Sequence, residues 1–68
     1  MSKGYPLSNN LRELREKKGL SQDRLAKRAD VANNTIIKIE QSKNINPRLD
    51  TLKKIAKALD VSVDELIQ

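Results

Sequence analysis

The sequence predicts an all-α domain, a compact bundle of five short helices, on three observations. Apolar residues recur at spacings of three and four along nearly the whole chain and never alternate as a half-buried strand requires. The polar breaks between these stretches are short. Sixty-eight residues also leave room for only one core, since a chain of this length buries about 60 % of its unfolded surface. Residues 1–68 therefore read as a single domain, without linker, low-complexity segment or internal repeat.

Residues 1–7 read as a flexible arm, because Gly4 and Pro6 both oppose helix near a chain end. Tyr5, the only aromatic residue, either packs on the core as a lid or contacts a phosphate. Ser8 can cap a first helix, with Leu11 and Leu14 inward and Arg12, Glu13, Glu16 and Lys17 toward water. Gly19 stops it, since glycine enters the left-handed conformation most cheaply. Ser21 is an N-cap candidate for a second helix, Gln22 to Ala29, whose inner face is Leu25, Ala26 and Ala29. Asp23 in its first turn suits the helix dipole.

Asp30, Val31 and Ala32 then make a tight corner, with Val31 as an apolar plug. The third helix covers residues 33–41, and its angular arithmetic is the most informative in the chain. At about 100° per residue, Asn33, Asn34, Ile37, Lys38 and Gln41 share one arc, while Ala32, Thr35, Ile36, Ile39 and Glu40 share the other. One face is core; the other faces something else. Residues 42–47 form a polar loop, in which the Asn46-Pro47 step disfavours helix. Leu49, Leu52, Ile55, Ala56 and Leu59 line the inside of a fourth helix, with Lys53, Lys54 and Lys57 outside. Asp60 ends it. Ser62 to Glu65 is a capping box that opens a short fifth helix, with Leu66 facing inward.

The net charge is +5, and its distribution is uneven: residues 1–54 hold thirteen Lys and Arg against six Asp and Glu, whereas residues 55–68 are net −2. The excess suits either a polyanion-binding surface or a solvated exterior that keeps a small protein dispersed. Neither cysteine nor histidine is present. Their absence removes disulfides, the usual structural zinc sets and the commonest neutral-pH general base, and is compatible with a reducing, cytoplasmic setting. No apolar run is long enough to span a bilayer and the N-terminus lacks a signal-peptide core, so no membrane association is expected. No glycine-rich phosphate loop or nucleophile–histidine pair occurs. An enzyme, a cofactor and a small-molecule ligand are all unexpected.

Three blocks, in order and correctly spaced, resemble one family: GLSQDRLAKRADV from Gly19, NTIIKIEQSK from Asn34 and TLKKIAKALDVSVDEL from Thr51. Together they look like the helix-turn-helix DNA-binding domains of the phage repressor and Cro (XRE-like) type, over about Leu11 to Leu66. The resemblance implies a lambda-repressor-like five-helix bundle whose helices 2 and 3 form the motif, with helix 3 in the major groove of double-stranded DNA. It implies base reading by Asn33, Asn34, Ile37 and Lys38, and phosphate contacts from Ser21, Gln22, Lys43, Asn44 and Arg48. It further implies a structural ion pair between Arg15 and Glu40. Where the family commonly has glycine, Asp30 and Asp60 occupy the turns, and aspartate tolerates the left-handed conformation better than most residues. Ala32 stands where a capping serine or threonine is usual. Either the third helix starts there without a side-chain cap, or Asn33 caps it one residue later.

The chemistry of the proposed site is consistent with that reading. Asparagine fits the N6/N7 edge of adenine, lysine reaches the O6/N7 edge of guanine or a phosphate, and isoleucine covers a thymine methyl. One small domain makes few phosphate contacts, so a homodimer on a near-palindromic site is expected, with residues from Val61 onward as its surface. The reading is a sequence-specific transcriptional regulator acting as a repressor, in the cytoplasm and on the nucleoid when bound. The alternative is an antitoxin or adaptor-type module that uses the same fold to hold a protein partner, to which the outward Ile37 lends support.

Overall fold

The structure, a computed structural model, describes residues 6–43 and 46–68. Five helices follow one another in them: α1 (Pro6–Lys17), α2 (Gln22–Ala29), α3 (Asn33–Glu40), α4 (Leu49–Leu59) and α5 (Val63–Ile67). Helix α2 packs against both α3 and α4, which meet chiefly through it, while α1 packs against α3 and α5, and α5 against α4. The fully buried large side chains are Leu11, Leu25, Ile36, Ile39, Ile55, Leu59 and Leu66. Every helix supplies at least one of them. At roughly 1.5–3 kcal/mol for each fully buried aliphatic side chain, losing any one helix opens the whole core. Ala26, Ala29 and Ala56 fill the remaining positions and let the helices approach closely.

Helix α1 begins earlier than the sequence suggests. Proline at the start of a helix loses no hydrogen bond that the helix would otherwise make, and its φ is already helical. Leu7 is therefore a helical residue packed on the core, and no part of an arm. Ser8 lies inside the helix and does not cap it. Residues 1–5, with Tyr5 among them, fall outside the described residues.

Leu49, expected inside, is 58 % exposed. It opens α4 at the margin of the apolar arc, and the core residues of that helix come later, at Ile55, Ala56 and Leu59. Helix α3 starts at Asn33, with Ala32 at the cap position in an extended conformation and no side-chain cap bond. Of the two starts left open by the sequence, the uncapped one is found.

Four chain reversals share one device. Gly19, Asp30, Ser42 and Asp60 all have φ between 59° and 70°. In each case the next residue's N–H returns to the carbonyl five positions before it: Leu20 to Arg15, Val31 to Ala26, Lys43 to Lys38 and Val61 to Ala56, at 2.8–3.1 Å. This is the Schellman closure, and only one of the four uses glycine. The corners at Asp30 and Asp60 match further: Leu25, Ala26 and Ala29 are buried before the first, Ile55, Ala56 and Leu59 before the second. The same corner thus occurs twice, thirty residues apart.

Candidate nucleic-acid interface

The two faces of α3 differ as its periodicity requires. Ile36, Ile39 and Glu40 are buried, Asn33, Asn34 and Lys38 are exposed, and Ile37 is half-buried on the outer side. The first turn of α3 carries no acidic residue, and Ala32 at its cap position makes no side-chain cap bond. Lys43 and Arg48, on the chain leaving α3, are exposed as well. Asn44 lies outside the described residues.

What holds α3 in place is a polar cluster on its last residue. Glu40 is 3 % exposed. Arg15 Nε donates to its Oε2 at 2.6 Å and Nη2 to Oε1 at 3.1 Å, the bidentate geometry in which a guanidinium pairs best with a carboxylate. Gln22 Nε2 adds a third bond to Oε1 at 3.0 Å. The main-chain carbonyl of Glu40 accepts from Ser8 Oγ at 2.7 Å and Arg12 Nη2 at 3.1 Å. Arg15 spends its last nitrogen on the Leu20 carbonyl, at 2.8 Å.

Glu40 holds the Arg15 guanidinium above the ordinary arginine range through hydrogen bonding, against an opposing effect of burial. A pKa raised on folding stabilises at every pH below the unfolded value and ceases to do so only as pH rises through the folded one. The arginine side of the pair therefore persists across all physiological conditions. With each of its three nitrogens engaged within the fold, Arg15 serves structure. Gln22 has one amide hydrogen on Glu40 and a second left for another acceptor. Ser21 caps α2 by accepting from the Arg24 N–H at 3.0 Å, which leaves its hydroxyl hydrogen available.

This arrangement presents a polar helix face, braced from behind by Ser8, Arg12, Arg15 and Gln22, with cations beside it. The sequence matches the helix-turn-helix family over residues 11–66. The chain belongs to that family. The domain is similar to the HTH-type transcriptional regulator SinR of Bacillus subtilis, with 34 % identity over 90 % of this chain and 55 % of that protein. The chain thus spans about half the length of that relative. An uncharacterized HTH-type transcriptional regulator of Archaeoglobus fulgidus is 35 % identical over 88 % of this chain and 84 % of its own. Among solved structures, SinR in complex with DNA superposes with a TM-score of 0.88 at 34 % identity, covering 91 % of this chain and 98 % of that one. The restriction-modification controller protein C.AhdI from Aeromonas hydrophila gives 0.85 at 35 %, covering 91 % and 92 %.

The helix-turn-helix domain is thus a non-enzymatic DNA-binding domain of the kind found in HTH-type transcriptional regulators. None of its described helices is long and apolar enough to cross a membrane. Three supporting residues escape sequence reasoning: Ser8, Arg12 and Asn10. The first two bind the Glu40 carbonyl, and Asn10 Nδ2 binds the carbonyls of Leu66 and Gln68 at 3.0 and 2.8 Å. A signal for the first pair does exist, since Ser8, Arg12 and Arg15 lie four and three residues apart and share the α1 face that adjoins Leu11.

Proposed function

We propose that this protein is a sequence-specific regulator of transcription that binds double-stranded DNA with α3 in the major groove and represses by occupying its site. One observation carries the reading: α3 presents Asn33, Asn34, Ile37 and Lys38 outward while its first turn is both uncapped and free of carboxylates. Asparagine and lysine supply donors and acceptors for base edges, Ile37 an apolar contact for a thymine methyl. Ser21, the second amide hydrogen of Gln22, Lys43, Asn44 and Arg48 take phosphates. They fix the register and contribute most of the affinity. The SinR chain of the same fold, solved with DNA, supports this docking.

The protein acts as a homodimer, two recognition helices reading half-sites about 34 Å apart. Its dimer surface lies from Val61 onward, where Ile67 is 43 % exposed. The same residue favours the second reading, an antitoxin or adaptor module whose apolar patch holds a partner protein. No cofactor is involved, and the setting is cytoplasmic.

Selection of bound sequences from random duplexes, followed by titration at several salt concentrations, tests the proposal. Recovery of a half-site repeated with dyad symmetry is expected, with a steep salt slope. Lys38→Ala should relax base preference at one position, whereas Arg48→Ala should weaken all duplexes alike and lower the salt slope by about one. No enrichment, with weak binding indifferent to sequence, would transfer the case to the interaction module.

A further inference from the structure

The basic side chains outnumber those that the reading face uses. Lys38, Lys43 and Arg48 belong to that face, but Lys18, Arg28, Lys54 and Lys57 converge elsewhere. They surround an open cleft of about 580 Å³ between the C-terminal ends of α1 and α2 and the outer side of α4. Its apolar lining is the half-buried Ala58 beside the edge of the buried Ala29, and Asp60 is its one acid. Among the described residues Lys18, Arg28 and Lys57 make no ion pair, and Lys54 reaches only Asp50 of its own helix, at 3.8 Å. Three helix C-termini, those of α1, α2 and α4, each worth about half a negative charge, and Asp60 together offset about two and a half of the four cations. A surplus remains, concentrated in a concavity.

We infer that this cleft docks an acidic segment of a partner protein. Carboxylates spaced along such a segment meet the lysines and Arg28, and an apolar side chain between them covers Ala58, a contact that a phosphodiester backbone cannot use. The lining holds no aromatic ring on which a base or nucleotide would stack. Nor does α3 contribute to it. Arg28 lies six residues beyond Gln22, about 9 Å along the α2 axis, so a docked segment engages the end of α2 opposite the one assigned to phosphate. The inference stands independently of the DNA-reading role. It gives a domain of this size a surface through which occupancy can be coupled to a second protein.

The test titrates isotope-labelled protein with a synthetic peptide alternating glutamate and leucine, and follows backbone amide shifts. Saturable shifts should appear at Lys18, Arg28, Lys54, Lys57 and Ala58 while Asn34 and Lys38 stay unmoved, and affinity should fall as salt rises. Replacing glutamate by glutamine in the peptide should abolish binding, and replacing leucine by serine should weaken it. The double variant Arg28→Ala with Lys57→Ala should bind the peptide about fivefold or more weakly, with unchanged circular dichroism and unchanged affinity for duplex DNA. Lys54→Gln should weaken the peptide alone, by less. Shifts centred on α3, absence of saturation, or displacement of the peptide from the cleft by inorganic polyphosphate or duplex DNA at equal concentration would each overturn the inference. The last would reassign the cleft to phosphate.

Discussion

At Asp30 and again at Asp60 the chain leaves a helix through a left-handed aspartate, closes the same pair of backbone hydrogen bonds and tucks a valine against the core. The helices that follow are finished differently. Helix α5 opens with a complete capping box, Ser62 Oγ accepting from the Glu65 N–H at 3.1 Å and Glu65 Oε1 accepting from the Ser62 N–H at 3.0 Å, with Asp64 beside it. Helix α3 opens with Ala32, two asparagines and no carboxylate. Both sequences could have carried the stabilising version, and only the one whose N-terminal face is proposed to meet DNA omits it. A helix N-terminus attracts anions. A carboxylate there satisfies the helix but repels a phosphate backbone. Local rules broken at one of two equivalent places mark the place where another partner is awaited.

The far ends of these two helices differ as well, and there the largest effect is expected. Helix α1 holds both: Ser8 and Arg12 at the Glu40 carbonyl, Asn10 at the carbonyls of Leu66 and Gln68. Only α3 adds a buried ion pair, with the Arg15 side chain 13 % exposed. Glu40→Ala strands that guanidinium and should cost about 3–5 kcal/mol, enough to unfold much of a domain this small. Glu40→Gln keeps the shape and should fall between it and the wild type. Asn10→Ala should cost about 1 kcal/mol. Urea denaturation at constant slope reads all three, and equal losses at residues 40 and 10 would erase the asymmetry between the two helices.

The caps come next in size. Ser62→Ala should lower stability by about 1 kcal/mol, and Ala32→Asp should raise it by a similar amount. At the DNA-facing end the second substitution should also weaken duplex binding about fivefold, by placing a carboxylate near phosphate. Stability and affinity moving in opposite directions is the signature. If Ala32→Asp strengthens both, α3 does not present its N-terminus to DNA and the comparison loses its functional meaning.

The parts of the molecule legible in the sequence are those governed by local periodicity and local hydrogen bonds. The bounds of α2 and α4, the buried stripe of α3 and the Ser62 box all follow from spacing and from capping chemistry within a few residues. The errors have physical reasons. Pro6 reads as a helix breaker from composition alone, yet it begins α1. Leu49 continues a periodic pattern past the point where α4 has anything to pack against. Ser8 looks like a cap and Arg12 solvated, and Asn10 carries no signal, because their true partners, carbonyls at the ends of α3 and α5, are 28 to 58 residues away. A side-chain bond to a distant backbone names no partner in its own neighbourhood; the spacing of Ser8, Arg12 and Arg15 marks a shared face of α1 but not the carbonyl it meets. The Arg15–Glu40 pair spans 25 residues, and family resemblance implies it where spacing does not.

The smallest effect tests whether the two corners are equivalent at all. Asp30 and Asp60 have φ of 59° and 61° and ψ of 47° and 41°, a conformation that costs an L-residue roughly 1–2 kcal/mol, less for aspartate, and glycine nothing. Glycine in turn loses about 0.5–1 kcal/mol more backbone entropy on folding. The difference should leave Asp30→Gly and Asp60→Gly each stabilised by a few tenths of a kcal/mol, since neither aspartate side chain forms an ion pair among the described residues. Because backbone and neighbours match, the two increments should agree and add in the double variant. Melting temperatures of the three variants measure this directly. A gain at one corner and a loss at the other would mean that one aspartate has an additional role; at residue 60, which lines the basic cleft, a loss of peptide binding on substitution would identify it.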